Sequence, residues 1–195
     1  TASNRWDILG SLPMPAAGDN RFSDQRALLG ANGIIYIVGG IVNGHMDGHV
    51  AWFDRYDPST GEWQQLPDAP RPRDHVQAIV IGDDLYLIAG RLSSQATNQP
   101  FERTIKPVDV YNFTSGTWRT LSPEQQLPTP RAGNMAIAFD QSIYVIGGES
   151  GEQIAAHNDV EVFDVATQQW RINPPLAQGR HGTGVIELNG YLVIA

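Results

Sequence analysis

Three arginines stand at matching places in this 195-residue chain: Arg73, Arg131 and Arg180. A guanidinium is a planar fork of donors that grips a carboxylate through two parallel bonds, so several at one radius would make a pocket for an acidic ligand. Arginine has a second use, as a buried cation paired with an acid inside the fold, and residue type alone leaves both open. His75 follows Arg73 by two residues and His181 follows Arg180 by one. Both are candidates to border the same mouth, although strand alternation aims them in different directions. Glu149, next to a glycine pair, or His181 is a candidate for proton transfer. His45, Asp47 and His49 alternate along a loop in a manner that a metal could use. No fourth ligand accompanies them, so a solvated loop is the expectation and no metal or cofactor is assigned.

These residues are positioned by a repeat. Tyr36, Tyr86 and Tyr144 are each followed, after two residues, by a small pair: Gly39-Gly40, Ala89-Gly90 and Gly147-Gly148. Thirteen residues before the last two tyrosines stand Arg73 and Arg131. Downstream, an aromatic and a tryptophan recur seven apart as Tyr56 and Trp63, Tyr111 and Trp118, Phe163 and Trp170. A further copy starts at Arg180, with Val193 in the tyrosine place. The first copy departs from the pattern: Ser23 occupies the arginine place, with Arg21 and Arg26 on either side. Within each copy, short alternating runs separated by turn residues read as four antiparallel strands in a meander. Asn32-Gly33 and Asp140-Gln141 mark hairpins, the first a pair suited to positive φ at both central positions. The tyrosine copies lie 50 and 58 residues apart, the spacing of propeller blades.

The arginine-led first strand, the small pair closing the second, and the spaced aromatic and tryptophan resemble the kelch repeat over nearly the whole chain. The resemblance implies an all-β fold, a kelch-type β-propeller, with three complete four-stranded blades at about 23–66, 73–121 and 131–174. A lone closing strand at 5–12, containing Trp6, and a partial blade at 180–195 flank them in one array. A propeller that opens on a closing strand and stops inside a second strand is expected to continue beyond Ala195. A half-ring pairing with another copy is the alternative, since an open ring exposes strand edges. The glycine pairs lack the helix and lysine of a phosphate-binding loop. They are expected where second strands crowd together. Tyr36, Tyr86, Tyr144, Trp63, Trp118 and Trp170 are expected to pack between blades, with a sugar-stacking role as the alternative.

Composition narrows the partners. The chain carries a net charge of -8, and Lys106 is its single lysine among 13 basic residues, which argues against nucleic acid. Cysteine is absent, and no apolar run approaches a membrane span. Asn112-Phe113-Thr114 matches a glycosylation sequon, but Asn112 reads as a turn residue. The loop from Arg91 to Pro107 is the longest between strands and is polar and varied, as functional loops on rigid scaffolds are.

Similarity to exported bacterial kelch proteins implies a secreted or periplasmic setting, with a cytoplasmic adaptor as the alternative. The functional expectation is a binding module presenting loops and an arginine-lined mouth to a protein, peptide or carbohydrate, with acidic ligands favoured. The alternative is an enzyme resembling a sialic acid mutarotase, in which an arginine holds a sugar carboxylate. The copper site of galactose oxidase cannot be built within a chain without cysteine.

Overall fold

A computed structural model describes residues 23–152 and 154–195, so the closing strand expected at 5–12 lies outside the described residues. Within them, consecutive strands pair with their sequence neighbours and form successive antiparallel sheets. The first holds β1 (Ala27–Ala31), β2 (Ile34–Val38), β3 (Phe53–Asp57) and β4 (Glu62–Gln65). The second holds β5 (Gln77–Ile81), β6 (Asp84–Ile88), β7 (Asp109–Asn112) and β8 (Thr117–Thr120). The third holds β9 (Met135–Phe139), β10 (Ser142–Ile146), β11 (Val160–Asp164) and β12 (Gln169–Asn173). A two-stranded sheet follows, β13 (Val185–Leu188) and β14 (Tyr191–Ile194).

The register repeats from blade to blade. Tyr36 lies opposite Arg55, Tyr86 opposite Val110 and Tyr144 opposite Val162. The hairpins at Asn32-Gly33 and Asp140-Gln141 both have positive φ at the two central residues, the geometry that matches strand twist.

No blade buries both of its faces alone, so each leans on the next. Phe53 of the first blade sits edge-on to Tyr111 and Trp118 of the second, with ring centroids 4.9 and 5.3 Å away. The indole N–H of Trp118 donates to Pro67 O at 2.7 Å, and that of Trp170 to Gln125 O at 2.9 Å. In the second and third blades the tryptophan is thus a clamp on the exit from the preceding blade.

The small pairs serve the same junctions. Gly40, Gly90 and Gly148 donate their backbone N–H to the carbonyls of Arg73, Arg131 and Arg180, the arginine position of the next blade, at 2.8, 3.0 and 2.8 Å. At Gly148, with φ +109, a Cβ would stand 3.0 Å from Ala132 O within its own blade. The crowding comes from the first strands and the neighbouring blade.

A second backbone series runs along the inner edge, where β1, β5, β9 and β13 meet. His75 N donates to Gln25 O at 3.1 Å, Gly133 N to His75 O at 3.1 Å, and Gly182 N to Gly133 O at 2.8 Å. All four residues have left-handed backbones, with φ of 54, 50, 59 and 62° from Gln25 to Gly182. Two are glycine, for which that region is free, whereas His75 and Gln25 carry its strain.

Candidate functional site

The arginines part company in the structure. Arg73 is fully buried: its guanidinium pairs with Asp109 and donates to Ala89 O and Pro107 O, both at 3.0 Å. Burial pushes Arg73 down to about 10 against the pull of Asp109, so the group stays charged at neutral pH. Arg131 is also fully buried, donating to Glu161 at 2.6 Å, Thr129 O at 2.9 Å and Val145 O at 3.1 Å. The first blade supplies its cation three residues late: Arg26 pairs with Asp54 at 2.9 Å and donates to Ile37 O at 3.2 Å.

Asp54, Asp109 and Glu161 occupy one register position, opposite Ile37, Leu87 and Val145. Each lies two residues before the repeated aromatic, so this third element of the repeat was present in the sequence and overlooked.

The expectation of a basic mouth built from Arg73 and Arg131 is therefore corrected. Of the two uses open to these arginines, the structure shows the internal one, because each is fully buried against an acid and backbone carbonyls. The sugar-acid enzyme reading loses its carboxylate-holding Arg131 with it. Arg180 differs: it is exposed, with no side-chain ion pair among the described residues.

The other predicted residues do converge. The β2–β3 type loops and the links between blades all lie at one end of the array, since meandering strands alternate direction. At that end Ile41, Arg91 and Glu149 hold one equivalent position, bridged to Asp24, Asp74 and Ala132 respectively. This position directly follows the small pair.

Arg91 is only 2% exposed and joins the second blade to the third. Its Nη1 donates to Glu149 Oε1 at 2.6 Å, its Nε to Ser93 Oγ at 2.8 Å, and its Nη2 lies 3.2 Å from His75 Nε2. The guanidinium carbon also sits 4.9 Å from the Phe101 ring centre.

Asp74 anchors the other side. Its carboxylate contacts His75 Nδ1 and accepts from Ser93 Oγ at 2.7 Å and Ser93 N at 2.9 Å. Burial pushes Asp74 up, but the bonds from His75 and Ser93 outweigh it and hold the acid below the usual carboxylate range. An ionised Asp74 accepts only, so His75 carries its proton on Nδ1 and presents the Nε2 lone pair to Arg91.

His45 Nε2 approaches His75 Nε2 at 3.4 Å, and His49 Nε2 lies 2.6 Å from Ser93 O. Asp47 instead accepts from Asn43 at 2.7 Å. The alternating trio thus turns to different partners, and no group of three metal-ligating side chains occurs among the described residues.

On the far side His181 Nδ1 stands 3.4 Å from Glu149 Oε2. Glu149 and His181 line a cleft of about 240 Å³ with Phe101, Ser150, Ile154, Ala155 and Ala156.

The site therefore runs Asp74–His75–Arg91–Glu149–His181, with apolar tips around it. Val42, Met46, Phe101 and Ile154, from the β2–β3 type loops of three blades, are all exposed. Backbone bonds stitch these loops together: Gln95 N donates to His45 O at 3.0 Å and Gly151 N to Phe101 O at 3.2 Å. Of the predicted set, His75, Glu149 and His181 belong here. Arg91, Asp74 and Phe101 were missed, although Arg91 holds the place that singled out Glu149.

Radial four-stranded antiparallel blades, locked through small pairs and buried ion pairs, define a β-propeller array. The profile described as the KLHDC2/KLHL20/DRC7 Kelch-repeats domain matches residues 25–194. The chain belongs to the kelch-repeat family. It is similar to Kelch-like protein terF of Aspergillus terreus, 27% identical over 199 residues, covering 99% of this chain and 40% of that protein. Alpha-scruin of Limulus polyphemus is 27% identical over 185 residues, 91% of this chain and 18% of its own length. Human Kelch-like protein 38 is 34% identical over 102 residues, 51% of this chain and 16% of that protein. Among solved structures, YjhT superposes with a TM-score of 0.70 at 20% identity, covering 87% of this chain and 60% of that one. The chain spans less than half the length of these curated relatives.

Proposed function

We infer that this propeller array is a protein-interaction module whose binding face is the loop end carrying Asp74, His75, Arg91, Glu149 and His181. Kelch-repeat domains generally mediate protein interactions. The observation that carries the choice of face is the set of apolar tips, Val42, Met46, Phe101 and Ile154, gathered around a preorganised polar network. Exposed apolar and aromatic side chains rimmed by polar groups are the composition of a protein interface, and they favour a protein over a carbohydrate. The turns at the opposite end, such as Thr114–Gly116, are small and polar. An acidic partner is no longer favoured, since Arg73 and Arg131 face inward.

A photo-crosslinking amino acid placed at Phe101 or at Ser115, in the full-length protein in its native host, tests the reading. Partner adducts are expected at Phe101 and not at Ser115. Adducts at Ser115 alone, or equally at both, would overturn the assignment of the face.

A further inference from the structure

We propose that the cleft beside Glu149 receives a lysine side chain of the protein partner. This rests on the loop face being the binding face. The charge count around Arg91 comes first. Asp74 and Glu149 are two carboxylates, and Arg91 is the one guanidinium between them; Arg91 Nε lies 3.8 Å from Asp74 and Nη1 2.6 Å from Glu149. With His49, His75 and His181, which flank these carboxylates, in their neutral forms, one negative charge is left over in a largely desolvated setting, where a partner cation is worth more than in water.

The second observation is which oxygen is unspent. Arg91 occupies Glu149 Oε1, whereas the nearest ion-pair partner of Oε2 is His181 Nδ1, 3.4 Å away, beyond a good hydrogen bond. The third is the lining: Phe101, Ile154, Ala155 and Ala156 give apolar walls to a space of about 240 Å³ with the carboxylate among them. An aliphatic stem ending in a cation matches that combination. Lysine fits better than arginine, because a guanidinium takes two carboxylate oxygens in parallel and one is already held, while an ammonium is a point charge satisfied by a single oxygen. The net charge of -8 would also steer a lysine-bearing surface inward.

The probes are Nα-acetyl-lysine methylamide, its norleucine analogue and its arginine analogue, titrated against the full-length protein while the His181 ring resonances are followed by NMR. Norleucine has the lysine stem without the charge. The lysine probe is expected to bind about fivefold more tightly than norleucine, the scale of one partly desolvated ion pair, with arginine between them. Glu149→Gln should bring the lysine and norleucine values together, and Ala155→Phe, which fills the cleft and spares the carboxylate, should abolish both. Thermal unfolding of each variant shows that the fold persists.

Equal affinities for lysine and norleucine in the wild type, a preference that survives Glu149→Gln, tighter binding of the arginine probe, or no binding of any probe each overturns the proposal. Partner crosslinking at Phe101 is read separately. If that persists while the lysine preference is absent, the binding face stands and the lysine subsite falls.

Discussion

Two sets of charged residues in this molecule look alike in composition and behave oppositely. In the blade interiors Arg26, Arg73 and Arg131 meet Asp54, Asp109 and Glu161 at the same place in three successive blades. At the loop end the equivalent positions read Ile41, Arg91 and Glu149, and no two are alike. What repeats serves the repeat, since every blade faces the same problem of locking onto its neighbour. What changes from blade to blade has no common structural task, and there the polar network and the apolar tips gather. A charge that recurs with the architectural period is therefore evidence of scaffold, and a charge that breaks the period is evidence of a site.

The widest gap between the two sets should appear in stability. Arg131→Ala leaves Glu161 buried without its cation and should cost about 3–5 kcal/mol in urea unfolding, whereas Arg180→Ala, exposed, should change stability by less than about 0.5 kcal/mol. Equal effects would mean that burial does not separate the motif arginines.

Gly148→Ala tests the junction rather than the ion pair. A Cβ 3.0 Å from Ala132 O, on a backbone at φ +109, should cost about 2–3 kcal/mol. Trp118→Phe keeps the ring and removes the 2.7 Å bond to Pro67 O, for an expected loss of about 1 kcal/mol.

Acid sharpens the comparison at Asp74. Its folded pKa is depressed, so its contribution is complete above the unfolded value of about 4 and is lost as pH falls through the folded one. Asp74→Asn should flatten the fall in unfolding free energy below about pH 4. An unchanged acid slope would rule out that role.

A small stability effect is also expected at His75. His75→Gly relieves a left-handed backbone at φ 50 but gives up the Asp74 and Arg91 contacts, so stability should move by less than about 1 kcal/mol. Crosslinking of the partner at Phe101 should nonetheless fall, because Arg91 loses the group that holds it from one side. A variant that keeps full crosslinking would place His75 with the scaffold.

Much of the architecture was legible because repetition amplifies weak local signals. Three copies of a tyrosine before a small pair set the register. The site was legible in part. Glu149 and His181 stood out by their place beside motif residues, and the structure brings them within 3.4 Å. Arg91 escaped notice because its importance lies in contacts to Glu149, 58 residues on, and to His75, 16 residues back. The internal role of Arg73 could have been read from the acid two residues before each aromatic. A single chain without that pairing in view leaves a guanidinium free to face either way.

The order of the strands, their pairing in sequence and the blade as a unit follow from the chain alone. These depend on local periodicity, turn chemistry and a repeat that must satisfy the same neighbour contacts each time. Which charges are spent inside and which are offered at the surface was decided by tertiary structure. The deciding distances run between residues tens of positions apart, and the cost of burying a charge depends on partners that only folding supplies.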